Sequence, residues 1–173
     1  RLYPDFARLS LEEDLEVEFL GPDKGSNAEF MADMIRSPYA IPGVSDGGAH
    51  TKFFTGGAYS TDFLTWLVRD EGVVTIEEAH YKLSFLAAQA AGFQDRGVLR
   101  EGAAADVLVY DLEELAIDPP WIGEVVDDLP GGEWRRVQRA KGYSQIIVNG
   151  EVTFEDGECT GATPGALLRG GRG

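Results

Sequence analysis

The apolar residues change period near residue 97, and that change most limits what this chain can fold into. Before it, they recur at helical spacing. Phe30, Met31, Met34 and Ile35 fall on one helical face, and Phe63, Leu64, Leu67 and Val68 on another. Ile76, Ala79, Leu83, Leu86, Ala87 and Ala90 make a third. After it come short strand-like runs: Val107-Leu108-Val109-Tyr110, Ile146-Ile147-Val148 and Val152-Thr153-Phe154. The last two flank Asn149-Gly150, the dipeptide best suited to a two-residue hairpin turn. A chain that switches period in this way needs a helix-bearing part and a mostly β part. No internal repeat is present.

The first part also carries strand signals. Leu15-Glu16-Val17-Glu18-Phe19 alternates and predicts a short half-buried strand after the acidic run Glu12-Glu13-Asp14. Ser10 and Glu13 allow a helical turn before it. Gly21-Pro22-Asp23-Lys24-Gly25 is turn chemistry, and Ser26 or Asn27 can cap a helix that Pro38 ends. Ile41-Pro42-Gly43-Val44-Ser45 predicts a second strand, followed by Asp46-Gly47-Gly48-Ala49-His50. Strand, helix, strand and glycine-rich loop is the order of a βαβ unit. In parallel sheets function gathers at the carboxyl ends of strands, which is where Asp46 and His50 fall. The loop runs on to Tyr59 with the length and glycines of a mobile loop over a site. Thr75 and Glu78 form a capping box for the helix that Gly92 stops. Asp156-Gly157 is another turn. The stretch 118–142, with Pro119-Pro120 and Pro130-Gly131-Gly132, reads as loop.

Length and charge exclude several classes. With 173 residues the chain is too short for a whole (β/α)8 barrel, which needs about 250. Leu, Ile, Val and Phe make up about a quarter of it, above the roughly 20% below which chains tend to stay disordered. Thirty acidic against 15 basic residues give a net charge of −15, which argues against nucleic acid or anionic membrane as a partner. A single cysteine, Cys159, excludes an internal disulfide and fits a reducing, cytoplasmic setting. The chain opens at Arg1 without a signal peptide or initiator Met, which predicts a piece of a longer or processed protein.

Four motifs carry a resemblance. They are Pro42-Gly43-Val44-Ser45-Asp46-Gly47-Gly48-Ala49-His50; Thr75-Ile76-Glu77-Glu78-Ala79 with Leu83 and Ala87-Ala88-Gln89-Ala90-Ala91-Gly92-Phe93; the run from Arg96-Gly97-Val98-Leu99 through Gly102 to Ala105-Asp106-Val107; and Val148-Asn149-Gly150 with Asp156-Gly157 and Thr160-Gly161-Ala162-Thr163-Pro164-Gly165. Together they resemble the amidohydrolase superfamily, in particular its N-acyl-D-amino-acid deacylase (D-aminoacylase-like) group. The likeness is clearest over residues 41–168.

The resemblance implies an α/β fold: the last β/α units of a metal-dependent hydrolase (β/α)8 barrel (1–95), followed by part of a small β-sandwich (96–173). It implies that Asp46 is the catalytic carboxylate at the end of the eighth barrel strand. There it would take a proton from metal-bound water and pass it to the leaving amine. It implies a divalent metal, zinc first, in the intact enzyme, with Asp46 as one contributor. The family's H-x-H pair is missing and His occurs only at 50 and 80, so the isolated chain is expected to hold no metal and to be inactive.

Other residues are weighed beside Asp46. His50 and Lys52 are candidates to bind a substrate carboxylate or oxyanion, against the plainer readings of a packing His and a solvated Lys. Ser45 would donate a hydrogen bond beside Asp46. His80 is read as structural, and the resemblance places Asp106 in the sandwich, which implies a turn or strand-entry role for it. Cys159 is read as an unpaired thiol.

The leading expectation is therefore the C-terminal portion of an amidohydrolase acting on linear C–N amide bonds of a small N-acyl amino acid or related amide. Its partner would be the N-terminal remainder of the barrel. The alternatives are a noncatalytic β-rich interaction module, or another amidohydrolase of hydantoinase or deaminase type. Uncovered barrel faces at Met31, Met34, Ile35, Val44, Leu64 and Leu67 also predict a homo-oligomer or a partly disordered monomer.

Overall fold

The computed structural model describes residues 2–17, 19, 27–43, 45, 52, 57–119 and 123–169. Helix α1 (Leu2–Glu12) opens the chain. It ends where Asp14 and Leu15 take left-handed backbone angles, φ 51° and 68°. Helix α2 (Ala28–Arg36) is capped by Asn27, whose Oδ1 accepts from the Phe30 N–H at 2.8 Å. Helix α3 (59–70) begins as α-helix at Tyr59–Asp62 and continues as π-helix over Phe63–Asp70. Helix α4 (76–90) has a π-helical middle, Tyr81–Leu86, between Ile76–His80 and Ala87–Ala90.

The capping box at Thr75 forms as expected. The Thr75 side chain accepts from the Glu78 N–H at 3.1 Å, and the Glu78 carboxylate accepts from the Thr75 N–H at 2.9 Å. The Thr75 N–H holds the Glu78 carboxyl below its ordinary range, opposed by partial burial and helped by Arg36. A carboxyl with a depressed folded pKa adds stability above its ordinary range and loses it as pH falls. Thr75→Ala is expected to cost about 1 kcal/mol in urea unfolding at neutral pH. The cost should shrink in acid, as protonation of Glu78 dissolves the other half of the box.

The described residues of the β part form eight short strands. β1 (Val107–Tyr110), β6 (Tyr143–Val148), β7 (Glu151–Glu155) and β8 (Glu158–Cys159) form an antiparallel sheet in the order β1-β6-β7-β8. Asn149 and Gly150, at φ 48° and 85°, make the expected β6–β7 turn. Asp156 and Gly157 repeat the device before β8 at φ 47° and 86°. The stretch read as loop is a correction. It holds β3 (Glu124–Leu129), β4 (Glu133–Val137) and β5 (Arg139–Lys141), and β2 (Ala116–Asp118) runs into its first residue. β2 pairs with β5 and β3 with β4, both antiparallel. The β3–β4 hairpin turns at Pro130-Gly131-Gly132. No β3 residue is buried, so no clean apolar alternation marked it.

The two early strands are also corrected. Residues 15–17 and 19 are turn or irregular, as are 41–43 and 45. Strand geometry persists only where a neighbour completes the ladder, and among the described residues none lies beside these segments. The helices and the β part share one core. Ala28, Ala32, Ile35, Phe63, Leu64, Leu67, Val74 and Ala79 from the first part close around Leu115, which is 1% exposed. Ile35, Leu64 and Leu67 are thus covered by the chain itself, against the expectation that they lay bare. Met34 does remain half exposed. Val44 lies outside the described residues. No helix among the described residues is long and apolar enough to cross a membrane.

Candidate functional site

The sequence points to the segment 41–52, and the described part of it is framed by three elements. α2 ends at Arg36, and the turn 37–40 leads into Ile41-Pro42-Gly43. Arg36 donates to the Val73 carbonyl and reaches the Glu78 carboxylate at 3.4 Å, tying the end of α2 to the start of α4. On the other side, Ile41, Pro42 and Gly43 help line an apolar hollow of about 320 Å³ with Met31, Met34, Phe63 and Trp66.

Asp46 and His50 lie outside the described residues. Lys52 is described: its side chain is half exposed, in keeping with the plainer reading of a solvated lysine, and it has partners on β4. Its ammonium pairs with Glu133 on β4 and stands 5.3 Å from the centre of the Trp134 ring. Its carbonyl accepts from Arg136 Nε at 2.9 Å, and the Arg136 guanidinium lies 5.8 Å from the same ring. The hydrogen bond from Lys52 holds the Glu133 carboxyl below its ordinary range. The β3–β4 hairpin therefore reaches back to the glycine-rich segment. Sequence reasoning missed Glu133, Trp134 and Arg136 because they fell in the supposed loop. The turn Pro130-Gly131-Gly132 between Leu129 and Glu133, with Trp134 next, was the usable hairpin signal.

The motif at 96–106 forms a knot of hydrogen bonds. The Arg96 guanidinium donates to Asp106 and, at 3.0 Å, to Asn149 Oδ1. Asp106 Oδ1 accepts from the Asn149 N–H at 2.8 Å, and Asn149 Nδ2 donates to the Pro164 carbonyl at 2.8 Å. Gly97, at φ 77°, lets the chain pass against α4, since a Cβ there would sit 2.7 Å from the Ser84 carbonyl oxygen. Asp106 thus stands just before β1 and holds the β6–β7 turn, a role of the kind the resemblance implied.

His80 likewise serves structure. Its Nε2 is 2.6 Å from the Tyr110 hydroxyl, and Tyr143 meets Thr61 Oγ1 at 2.9 Å. Burial, with some help from Tyr143, pushes the Tyr110 hydroxyl above its ordinary pKa. These tyrosines border a broad open cleft of about 1270 Å³ that contains none of the residues singled out for chemistry. Cys159 is exposed and unpaired on β8.

Among the described residues, no three His, Cys, Asp or Glu side chains gather as a metal ion requires. The described residues therefore do not by themselves fit the implied metal.

Helices that run into a β part, with the motifs just described, set a class, and comparison with known proteins gives it a name. Residues 2–154 match the amidohydrolase family, and the chain belongs to it. It is 30% identical over 109 residues to the N-acyl-D-aspartate deacylase of Alcaligenes xylosoxydans xylosoxydans. It is 31% identical over 102 residues to the N-acyl-D-glutamate deacylase of the same organism. These matches cover 62% and 59% of this chain but only 19% and 18% of the relatives. The chain spans about a fifth of their length. Among solved structures, a D-aminoacylase described as having a binuclear metal centre matches at 29% identity. The match covers 60% of this chain and 19% of that one, with a TM-score of 0.47. Membership rests on the family match.

Proposed function

We propose that this chain is the C-terminal portion of an amidohydrolase that hydrolyses the linear amide bond of N-acyl-D-amino acids. Residues 1–95 would belong to the (β/α)8 barrel and 96–173 to a small β-sandwich. The observation that carries the reading is the family match across 2–154, joined to two curated relatives that are both deacylases. In this reading Asp46 is the acid–base group. Its carboxylate takes a proton from the attacking water and delivers it to the amide nitrogen as the C–N bond breaks, leaving a carboxylate and a free amine. His50 and Lys52 contact the substrate's carboxylate, so a bound substrate competes with Glu133 for the Lys52 ammonium. The divalent metal of the intact enzyme would draw its ligands mostly from elsewhere in the protein, with Asp46 as one contributor.

The test is to express the complete reading frame that contains these residues. Acid release is then measured from N-acetyl-D-aspartate, N-acetyl-D-glutamate and their L enantiomers. Turnover of the D compounds, at least tenfold faster than of the L, is expected. A folded, metal-loaded protein that turns over no N-acyl amino acid, or that opens hydantoins instead, overturns the reading.

A further inference from the structure

Lys52 is held at two points that involve no carboxylate. Its carbonyl accepts from Arg136 Nε at 2.9 Å, and its ammonium stands 5.3 Å from the centre of the Trp134 ring. Trp134 and Arg136 are two apart on β4 and so face the same side of it, which brings the Arg136 guanidinium to the same ring. A cation on an aromatic face is attracted by the ring's quadrupole and keeps its full charge. The Lys52 ammonium therefore stays in place and still calls for an anion.

Glu133 supplies that anion. Its backbone is fixed in the ladder opposite Leu129, at the first residue of β4. Its carboxylate is far less fixed, because the Glu133 and Lys52 side chains are 58% and 49% exposed. Exposed ion pairs are weak, since water competes for both ends. Another carboxylate can thus take the place of Glu133 with no change in net charge, while the Trp134 ring and the Arg136 bond hold Lys52 where it is. Asp128, the hairpin carboxylate that Arg135 holds with two bonds of 2.7 and 2.6 Å, is engaged elsewhere and takes no part in the exchange.

We propose that Glu133 is the resident occupant of a carboxylate-binding place at the Lys52 ammonium, and that it sets the enzyme's affinity for anionic substrates because it must be displaced. The proposal rests on the reading of Lys52 given above. It adds the residue that competes with the carboxylate of an N-acyl amino acid. Being on the same chain, Glu133 competes at a fixed effective concentration, so its loss acts on KM and leaves kcat alone. Glu133 itself touches no substrate.

The experiment uses the full-length protein with N-acetyl-D-aspartate. Glu133→Gln keeps the size of the side chain and removes its charge. It is expected to lower KM about threefold, the scale on which an exposed ion pair acts, with kcat within about twofold of the parent. Lys52→Met is expected to raise KM about fivefold. In the Lys52→Met background Glu133→Gln should change nothing, because no ammonium is left to compete for. Asp128→Asn removes a carboxylate from the same hairpin and is the control for surface charge; its KM should stay close to the parent's.

A Glu133→Gln enzyme whose KM does not fall, falls no further than that of Asp128→Asn, or falls equally in the Lys52→Met background overturns the competition alone. A Lys52→Met enzyme with the parent's KM overturns the contact between Lys52 and the substrate, and the competition with it. A parent that turns over no N-acyl amino acid overturns the deacylase reading itself.

Discussion

Asp46→Asn in the full-length enzyme is expected to lose between about 10² and 10⁴ of kcat, the usual range for a general acid–base group. The amide has the size and shape of the carboxylate but cannot take up the proton of the attacking water. The loss should appear in kcat and kcat/KM alike, with KM little changed, because the interaction is made in the transition state. Far-ultraviolet circular dichroism and the urea midpoint should match the parent. A loss below about threefold would remove Asp46 from the mechanism.

The second large effect concerns stability, at the aspartate that ends the 96–106 motif. Asp106 accepts from the Arg96 guanidinium and from the Asn149 N–H. Asp106→Ala leaves both donors without that partner. Arg96 is only 14% exposed, and its Nε already lacks a hydrogen bond. Losing hydrogen bonds to a charged group costs about 1.5–3 kcal/mol each. Asp106 is one-third exposed, so water recovers part of that. A net loss of about 2–4 kcal/mol is expected in urea unfolding, with kcat of the surviving folded enzyme within threefold of the parent. A stable but inactive Asp106→Ala enzyme would instead place this aspartate in the chemistry.

How much of this was legible beforehand depended on where each signal lived. Caps and turns are local, and they were readable: Thr75 with Glu78, Asn27, Asn149-Gly150 and Asp156-Gly157 all do what their chemistry predicts. Helices whose apolar faces are buried in the shared core were readable for the same reason. The β3–β4 hairpin was not, because neither Glu124–Leu129 nor Glu133–Val137 alternates apolar with polar residues and none of their residues is fully buried. Leu15–Phe19 and Ile41–Ser45 carried strand composition, but a strand needs a partner, and composition does not supply one. Of the candidate site, the groups that hold Lys52 could not be read, because they sit on β3–β4 far along the chain.

Asn149 meets three demands with one short side chain and a left-handed backbone. Its oxygen accepts from Arg96, its nitrogen donates to Pro164, and its φ of 48° turns the β6–β7 hairpin. Aspartate would keep the acceptor but lose the donor and set a second negative charge beside Asp106. Glycine would keep the turn and lose both bonds. Serine would be too short to span from Arg96 to Pro164. No single replacement meets all three, so this position has almost no neutral neighbours in sequence space. The tail near Pro164, though it forms no strand, is tied to the fate of a turn fifteen residues before it.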